Sequence, residues 1–379
     1  MAKLRLRQTV KGVIMFIAFY GFIVTSFMLL TKLGYEIVPI REMDGVGNVG
    51  SLQDRINIIT ATDSGHIKGA PALINSILKT SKSPDDIMIH IVMCDAPEIV
   101  MKQYLGCYGI KVDEKQIKIV RFDETYIDPE MAKIWDDSFF TNRLRSTCNY
   151  ARNYFYRLFP DVNRAIYLDI DAVVNRPIEE LWSEAMRKPA PLLAVKNQLD
   201  YNRDHFQVDK VTDMFQSRYG RMFNSSASLF NGGVFVLDLE FYRKYNLIDD
   251  VEFWLKENDM SDPPLYRYES QSIMQIIYHG LWQTMDEKWN VKAVGLRKPI
   301  DEDIAKTAGV LHWVGTHKPW LEDGANRAYW ERYLPLECSM KGRCIETFRE
   351  DKAWKCACEN GRTGTQCQYK IGIRPQTKS

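Results

Sequence analysis

The stretch that decides the fold reads AIYLDIDAVV and spans Ala165–Val174. Apart from two carboxylates it is apolar and rich in β-branched residues, which is typical of a strand buried on both faces of a sheet. A buried charge is costly unless it is paired or binds a metal, and side chains two apart in an extended chain point the same way. We therefore expect Asp169 and Asp171 to form an oxygen clamp for a divalent cation where the strand ends at a cleft. The alternative is a pair of strand-end aspartates that cap the next turn.

Strand-like and helix-like segments alternate on both sides of this stretch. Apolar runs predict strands at 56–63, 87–93 and 117–120, and a strand after the glycines of 229–237. Apolar residues at helical spacing predict helices at 70–78, 147–158, 178–182, 241–255 and 271–278. This alternation is typical of a mostly parallel sheet with helices on both faces. Ligands of such sheets bind beyond the carboxyl ends of the strands, where we expect Asp63 and the two aspartates of 169–171.

Two segments lack periodicity. Residues 121–147 form a long irregular stretch that predicts either a lid or substrate loop, or a solvated excursion. Residues 196–228 are polar and are predicted to be irregular as well. They contain Asn224, which begins the only N-glycosylation acceptor sequence of the chain, Asn-Ser-Ser.

The composition excludes one large class of partner. The chain has 379 residues with 50 basic and 49 acidic side chains, so its net charge is +1. No dominant positive field is available to attract phosphates, and we predict no nucleic-acid partner. With 45% hydrophobic residues the chain is long enough to bury one large core or two modest ones.

The first 54 residues predict a membrane anchor. Residues 12–30 carry no charge and are long enough to cross a bilayer as a helix, and residues 1–11 before them contain four basic side chains. By the positive-inside rule, residues 1–11 lie in the cytosol and the rest of the chain lies across the membrane, a single-pass type II arrangement. A cleaved signal peptide is the alternative. Residues 31–54 are predicted to form a stem.

The eight cysteines are consistent with an oxidising, lumenal location. Five of them lie in the last 42 positions of the chain, Cys338, Cys344, Cys356, Cys358 and Cys367.

Four motifs together resemble glycosyltransferase family 8, the retaining nucleotide-sugar transferases, and in particular its animal proteins named for a family 8 domain and its plant galacturonosyltransferase-like branch. The motifs are ATD at 61–63, YAR at 150–152, YLDID at 167–171 and HxxGxxKPW at 312–320. The resemblance covers about residues 56–334. It implies an α/β catalytic domain of the GT-A type over residues 55–336, with a mostly parallel, twisted sheet that binds a nucleotide-sugar.

The resemblance also implies how the diphosphate is held. Asp169, Asp171 and His312 offer two oxygens and one nitrogen to Mn²⁺, or to Mg²⁺. Such a cation neutralises charge that grows on the diphosphate as the glycosidic bond breaks, which is the main catalytic requirement for this good leaving group. Lys318 is expected to hold a phosphate oxygen as a point charge, and Arg152 to contact the nucleotide-sugar.

Further residues are assigned to the donor by the same resemblance. The uracil and ribose are expected on the end of the first strand, with His66 where several members stack a tyrosine on the base. Asn231 and Gly232 lie beside the donor sugar, although a plain turn explains the glycines equally well. Gln271 faces the anomeric carbon, but its neighbours are serines where some members have acids that bind the sugar, so the donor sugar is not specified. The expected nucleotide-sugar-binding residues are Ala61, Thr62, Asp63, His66, Arg152, Asp169, Ile170, Asn231, Gly232, Gly315 and Lys318, and the expected catalytic residues are Gln271 and Asp171.

The last cysteines fit C-x-C-x5-G-x2-C, the second half of an EGF-like module, which we place at residues 337–370 before a tail at 371–379. That resemblance implies the disulfides Cys338–Cys356 and Cys358–Cys367. The first cysteine of the module is missing, so Cys344 is free, intermolecular or bonded to Cys94, Cys107 or Cys148. Of these we favour a bond back to the catalytic domain.

These observations predict a retaining, metal-dependent glycosyltransferase of the Golgi or endoplasmic reticulum. It would move a sugar from a UDP-sugar to a glycan or glycoprotein acceptor. The alternatives are an inactive, membrane-tethered binding protein that acts through the EGF-like tail, and a lectin with a sugar-binding cleft.

Overall fold

The computed structural model describes residues 55–122, 126, 147–197, 206–267, 269–296, 299–340, 342–346, 354–358, 362–363, 367 and 369–370. The predicted cytosolic segment, anchor and stem at residues 1–54 lie outside these ranges, as do the final residues 371–379 and nearly all of the predicted loop at 121–147. Among the residues described, no helix is both long enough and apolar enough to span a membrane.

A seven-stranded sheet organises the described chain. Its strands are β1 (Ile56–Thr62), β2 (Ile87–Met93), β3 (Ile117–Arg121), β4 (Arg164–Leu168), β6 (Leu192–Lys196), β7 (Phe230–Asp238) and β8 (Trp282–Thr284). They follow the order β3-β2-β1-β4-β7-β6-β8. Only the pairs formed by β7 are antiparallel, and all the others are parallel. The prediction of a mostly parallel sheet is confirmed.

Helices cover both faces of this sheet, and two apolar cores lie between the helices and the strands. The described helices are α1 (Ala70–Thr80), α2 (Glu98–Cys107), α3 (Thr147–Ala151), α4 (Phe155–Leu158), α5 (Ile178–Arg187), α6 (Val208–Tyr219), α7 (Leu239–Lys244), α8 (Leu247–Met260), α9 (Glu269–Ile277), α10 (Glu302–Thr307) and α11 (Ala328–Glu331). The helix predicted at 147–158 is interrupted by a 3-10 turn at Arg152–Tyr154, and the one predicted at 241–255 breaks where Asn246 adopts a left-handed φ of 47°.

The stretch 165–174 is two strands rather than the single strand predicted. Strand β4 ends at Leu168, and β5 (Ala172–Val174) leaves the main sheet to pair antiparallel with β9 (Val310–His312). Every residue of β5 is fully buried, so the run stays apolar across the break and its composition alone does not reveal it. The break places both aspartates in the turn that joins the two sheets.

Residues 196–228 contain helix α6, which the sequence analysis did not predict. Only Val211 and Phe215 of this helix are buried, so its apolar stripe is too narrow to be evident among polar neighbours. Gly220 ends the helix with a left-handed φ of 65°, a common helix terminator.

The C-terminal segment contains two short antiparallel pairs, β10 (Gly342–Glu346) with β11 (Trp354–Cys358) and β12 (Arg362–Thr363) with β13 (Tyr369–Lys370). Two disulfides, Cys338–Cys356 and Cys358–Cys367, are the pairs that the EGF-like resemblance implies. Two further bonds, Cys107–Cys344 and Cys94–Cys148, complete the pairing of all eight cysteines. Cys344 is thus bonded to Cys107 at the end of helix α2, within the range that the sequence analysis assigned to the catalytic domain, as we favoured.

Candidate functional site

The three expected metal ligands meet at the junction of the two sheets. The antiparallel register places Ala172 opposite His312, directly beside the turn that carries the aspartates. The His312 Nε2 atom lies 3.3 Å from Asp169 Oδ2 and 3.4 Å from Asp171 Oδ1. One ligand atom from each residue falls within 4.8 Å of the other two. This spacing allows one small cation to contact all three side chains.

Two asparagines orient the histidine. The His312 Nδ1 atom lies 3.0 Å from Asn290 Oδ1, and the amide of Asn290 donates to Asn231 Oδ1 over 2.9 Å. When Nδ1 donates its proton to Asn290, the lone pair of Nε2 faces the two carboxylates, as a metal ligand requires. The sequence analysis did not identify Asn290, because a single asparagine outside any motif carries no signal.

Gly233 makes room for this cluster. A Cβ at this position would lie 2.0 Å from His312 Cε1 and 2.7 Å from Asp169 Oδ2. Real side chains do not approach so closely, and both neighbours are held in place by hydrogen bonds or strand pairing. The glycine is therefore explained by close packing against two site residues. It lies within β7, and the prediction that it precedes the strand is wrong, because the strand already begins at Phe230.

Lys318 contacts Asp171 directly. Its Nζ donates to Asp171 Oδ2 and, over 2.8 Å, to the carbonyl oxygen of Trp313. Burial alone would raise the pKa of the Asp171 carboxyl, but His312 and Lys318 outweigh it and hold that pKa well below its usual range. Burial alone would lower the pKa of His312, and the two carboxylates raise it to about 9. The cluster is thus a buried network in which carboxylates and cationic groups contact one another.

Arg152 completes the network from the other side. Its NH1 donates to the carbonyl oxygen of Gly232 over 2.7 Å, and its NH2 lies 3.8 Å from Asp169 Oδ1. The guanidinium also lies over the ring of Tyr167, 5.1 Å from its centroid, and the Tyr167 hydroxyl donates to Asp169 Oδ1 over 2.7 Å. Burial would raise the pKa of Asp169, but His312 and Arg152 together lower it. Two cationic side chains, Arg152 and Lys318, therefore flank the ligand cluster.

Gln271 is held at the glycine step. Its Oε1 accepts a hydrogen bond from the backbone N of Gly232 over 3.0 Å, which fixes the amide beside the cluster. A Cβ at Gly232 would lie 3.1 Å from Arg152 NH1 and 3.3 Å from that same Oε1, so this glycine also brings backbone close to both side chains.

The expected nucleotide end lies where β1 finishes. Asp63 Oδ1 accepts from the backbone N of His66 over 3.0 Å and lies 2.6 Å from its Nδ1. Burial would raise the pKa of Asp63, but the hydrogen bonds and charge of His66 lower it. The His66 ring also meets Trp320 edge-on, with centroids 6.2 Å apart. The imidazole is therefore held between an acid and an indole.

The ligand cluster, Arg152, Gln271, Lys318 and the residues at the end of β1 line one cavity of about 530 Å³. Its lining includes every residue that the sequence analysis assigned to nucleotide-sugar binding, catalysis or metal binding. Asn224, the predicted glycosylation site, is exposed and does not line it. Residues of the lining to which the sequence analysis gave no role are Cys148, Asn149, Tyr167, Gly233, Ser270, Val314 and Thr316.

The sequence matches one protein family over most of its length. The profile of the family described as "Glycosyl transferase family 8" matches residues 57–324. A "Probable galacturonosyltransferase-like 10" of Arabidopsis thaliana is 27% identical over 280 residues, which cover 71% of this chain and 72% of that protein. The human "Glycosyltransferase 8 domain-containing protein 1" is 25% identical over 326 residues, which cover 80% of this chain and 83% of that protein.

Solved structures share the architecture. The structure of the galactosyltransferase LgtC with donor and acceptor sugar analogues superposes with a TM-score of 0.53 at 18% identity, covering 78% of this chain and 98% of that one. The bifunctional glycosyltransferase WbbM superposes with a TM-score of 0.52 at 17% identity, covering 77% of this chain and 50% of that one. At these identities the likeness shows the fold alone, which is the GT-A-like α/β fold expected from the sequence.

Proposed function

The chain belongs to glycosyltransferase family 8, and we propose that it is a retaining enzyme that moves a sugar from a UDP-sugar to a glycan or glycoprotein acceptor. One observation supports this proposal most directly. Two carboxylates, an oriented imidazole and two cationic side chains converge in a single cavity. This arrangement suits a diphosphate bound through a divalent cation.

We propose Mn²⁺ or Mg²⁺ as that cation, with Asp169, Asp171 and His312 as its protein ligands. The donor set fits, because two carboxylates and one imidazole suit Mn²⁺ and leave coordination positions for phosphate oxygens. The bound cation would supply positive charge next to the leaving diphosphate. Lys318 donates to Asp171, and the same ammonium lies within the cavity lining, from which it can contact a phosphate oxygen.

The remaining side chains position the donor. Arg152 near Asp169 and Lys318 at Asp171 attract the diphosphate, and Gln271 lies beside Gly232 where the donor sugar is expected. We propose a same-face displacement, in which the acceptor oxygen bonds to the anomeric carbon as the bond to the diphosphate breaks. The proton of the acceptor hydroxyl passes to the departing diphosphate oxygen, so the sugar keeps its anomeric configuration. The base is proposed to lie against Ala61, Thr62, Asp63 and His66.

We further propose that the protein acts in the lumen of the Golgi or endoplasmic reticulum, anchored by residues 12–30 as a type II membrane protein. The pairing of all eight cysteines supports an oxidising compartment. The exposed Asn224 is the proposed N-glycosylation site. The proposed division places the catalytic domain at residues 55–336 and an EGF-like module at residues 337–370.

The test is release of UDP from a panel of UDP-sugars by the full chain in detergent, with Mn²⁺ or with EDTA. We expect release from one donor only with the metal, and its loss in Asp171→Asn. Asp303→Asn is the matched control, because the Asp303 side chain is 94% exposed and does not line the cavity.

A second measurement decides what an inactive result means. If no donor releases UDP, titration calorimetry with UDP and Mn²⁺ separates an enzyme that requires its true acceptor from a lectin or an inactive binding protein. An intact transferase site binds the nucleotide, whereas absence of UDP binding would contradict the proposal.

A further inference from the structure

One of the four disulfides lines the cavity. Cys148 is part of the cavity lining and is bonded to Cys94, which is 54 positions earlier in the chain. The remaining six cysteines form the three bonds in or to the C-terminal segment, and the described lining of the cavity includes none of them.

Cys148 is itself a lining residue, whereas Cys94 lies behind the lining and contacts the end of β1. Cys94 follows β2 directly, and its backbone N donates to the carbonyl oxygen of Thr62 over 3.2 Å. Thr62 ends β1 in the wall where the nucleotide is expected. On the other side, Cys148 lies in helix α3, four residues before Arg152, and the intervening Asn149 also lines the cavity. The disulfide therefore links the β1 wall to the segment that carries Arg152.

The segment that carries Arg152 has little helical stability of its own. Helix α3 has five residues, the 3-10 turn three and helix α4 four. Helices this short depend on tertiary contacts for their orientation. Tyr150 and Tyr154 are buried in the core and anchor the inner side of the segment, so the fold does not rest on the disulfide alone. At the cavity wall, Cys148 forms the covalent link between this segment and Cys94.

The position of the Arg152 side chain determines how close its positive charge lies to the ligand cluster. Its guanidinium is 9% exposed, lies 3.8 Å from Asp169 and has a buried Nε for which the described structure shows no hydrogen-bond partner. A side chain held in place before the ligand arrives gives up less conformational freedom on binding. A small rotation of helix α3 would move the guanidinium of Arg152, which follows the helix, away from Asp169.

We infer that the Cys94–Cys148 disulfide is a positioning element of the donor site, which holds the Arg152 segment against the β1 wall. This inference rests on the proposed binding of UDP in the cavity. It assigns the bond a role in donor affinity, distinct from the role of the three bonds of the C-terminal segment.

The experiment measures binding of UDP with Mn²⁺ by titration calorimetry to the full chain in detergent. We expect the double variant Cys94→Ser, Cys148→Ser to remain folded by circular dichroism and to bind UDP about tenfold more weakly. The matched control, Cys358→Ser with Cys367→Ser, removes a distant disulfide and should change the dissociation constant less than twofold.

A double-mutant cycle separates positioning from a general structural effect. Arg152→Ala alone should weaken binding, and removing the Cys94–Cys148 bond in that background should then change affinity less than twofold, because the element that it positions is gone. Equal losses with and without Arg152 would overturn the inference, as would unchanged affinity in the double serine variant.

Two further outcomes are distinguishable. If the wild-type chain does not bind UDP, the proposed function fails and the disulfide is not at issue. If the serine variant does not fold, the variant Cys94→Ala, Cys148→Ala replaces it and avoids buried hydroxyls. Failure of both to fold would overturn the inference, because the bond would then be needed for the fold as a whole. Once a donor is known, an increase in its KM with little change in kcat is expected for the folded variant.

Discussion

The ligand cluster and the C-terminal segment are held together by different means. The ligand cluster brings together a turn at 169–171 and strand β9 through strand pairing, hydrogen bonds and ion pairs, with no covalent link among its members. The C-terminal segment has strands of two to five residues and takes part in three of the four disulfides. Small modules bury too little apolar surface to be stable without such bonds. The difference teaches that the ligand cluster depends on strand pairing and core packing and the C-terminal segment on its disulfides, so each can be perturbed without the other.

The largest expected effect comes from Gly233→Ala. The new methyl group would overlap His312 and Asp169, so the ligand cluster must open. We expect UDP to bind at least about 100-fold more weakly in the presence of Mn²⁺, a loss of about 2.7 kcal/mol. Calorimetry measures this loss, while limited proteolysis of the C-terminal segment should be unchanged.

Gly106→Ala is the matched control for this substitution. Gly106 lies in helix α2, next to Cys107, and a Cβ there meets nothing within 4 Å. We expect unchanged UDP binding and a gain in stability of up to about 1 kcal/mol, because alanine favours helix. Normal UDP affinity in Gly233→Ala would show that the ligand cluster tolerates displacement. It would contradict the view that close packing maintains the cluster.

The second effect is on the C-terminal segment. Removing the Cys107–Cys344 bond with Cys107→Ser and Cys344→Ser opens a link between cysteines 237 positions apart. We expect local unfolding of the segment to become easier by about 2 to 4 kcal/mol, measured by amide hydrogen exchange. UDP affinity should change less than twofold. A parallel loss of UDP binding would show that the two regions are coupled.

The third effect uses pH. His90 is buried in β2, and burial, together with the charges of Lys118 and Arg55, lowers its pKa to about 3. The unfolded chain has a histidine pKa of about 6.5, so between these values it binds more protons than the folded chain, and stability falls as pH falls. We expect His90 to contribute a loss of about 2 kcal/mol between pH 7 and pH 5.

Urea unfolding of the wild type and of His90→Gln at both pH values measures this loss, which should be absent in the variant. Residues 337–370 contain no histidine, so hydrogen exchange in that segment should not share the pH dependence once it is corrected for intrinsic exchange rates. Equal pH sensitivity of wild type and variant would contradict the assignment to His90.

The smallest effect concerns the noncovalent contact between the regions. Trp354 packs edge-on against Tyr104 with centroids 4.7 Å apart, and its backbone N donates to Gln103 Oε1 over 3.0 Å. We expect Trp354→Ala to reduce protection of the segment by about 1 kcal/mol in hydrogen exchange, since the ring contact is lost. Trp354→Phe keeps an aromatic ring and should lose less. An effect larger than that of the Cys107–Cys344 variant would mean that packing, rather than covalent links, stabilises the segment.

The sequence predicted most of the elements and part of the cavity lining, because both depend on local patterns and short motifs. Each of these patterns is a short contiguous stretch of sequence, as in the buried runs of β1 and β2 and the motif from His312 to Lys318. Their residues lie where the alternation of strands and helices places them. The family membership inferred from these motifs is confirmed by the match over residues 57–324.

What the sequence did not predict depends on partners that are distant in the chain. The break between β4 and β5 arises because β5 pairs with β9, and nothing in an unbroken apolar run marks that change of partner. Asn290 orients His312 without belonging to a motif, and the partner of Cys148 cannot be chosen from cysteine spacing alone. Helix α6 was missed because two buried residues in twelve give too weak a period.

The pairing of Ala172 with His312 also orders events during synthesis. These partners are 140 positions apart, the difference between 312 and 172, and no shorter-range contact substitutes for the third ligand within the described cluster. At about 5 to 20 residues per second, the ribosome needs roughly 7 to 28 s to add the intervening chain after the aspartates are made. During that interval the two neighbouring carboxylates lack the histidine. Because this strand pair joins residues that are far apart in the chain, we expect closure of the site to be a late step of folding.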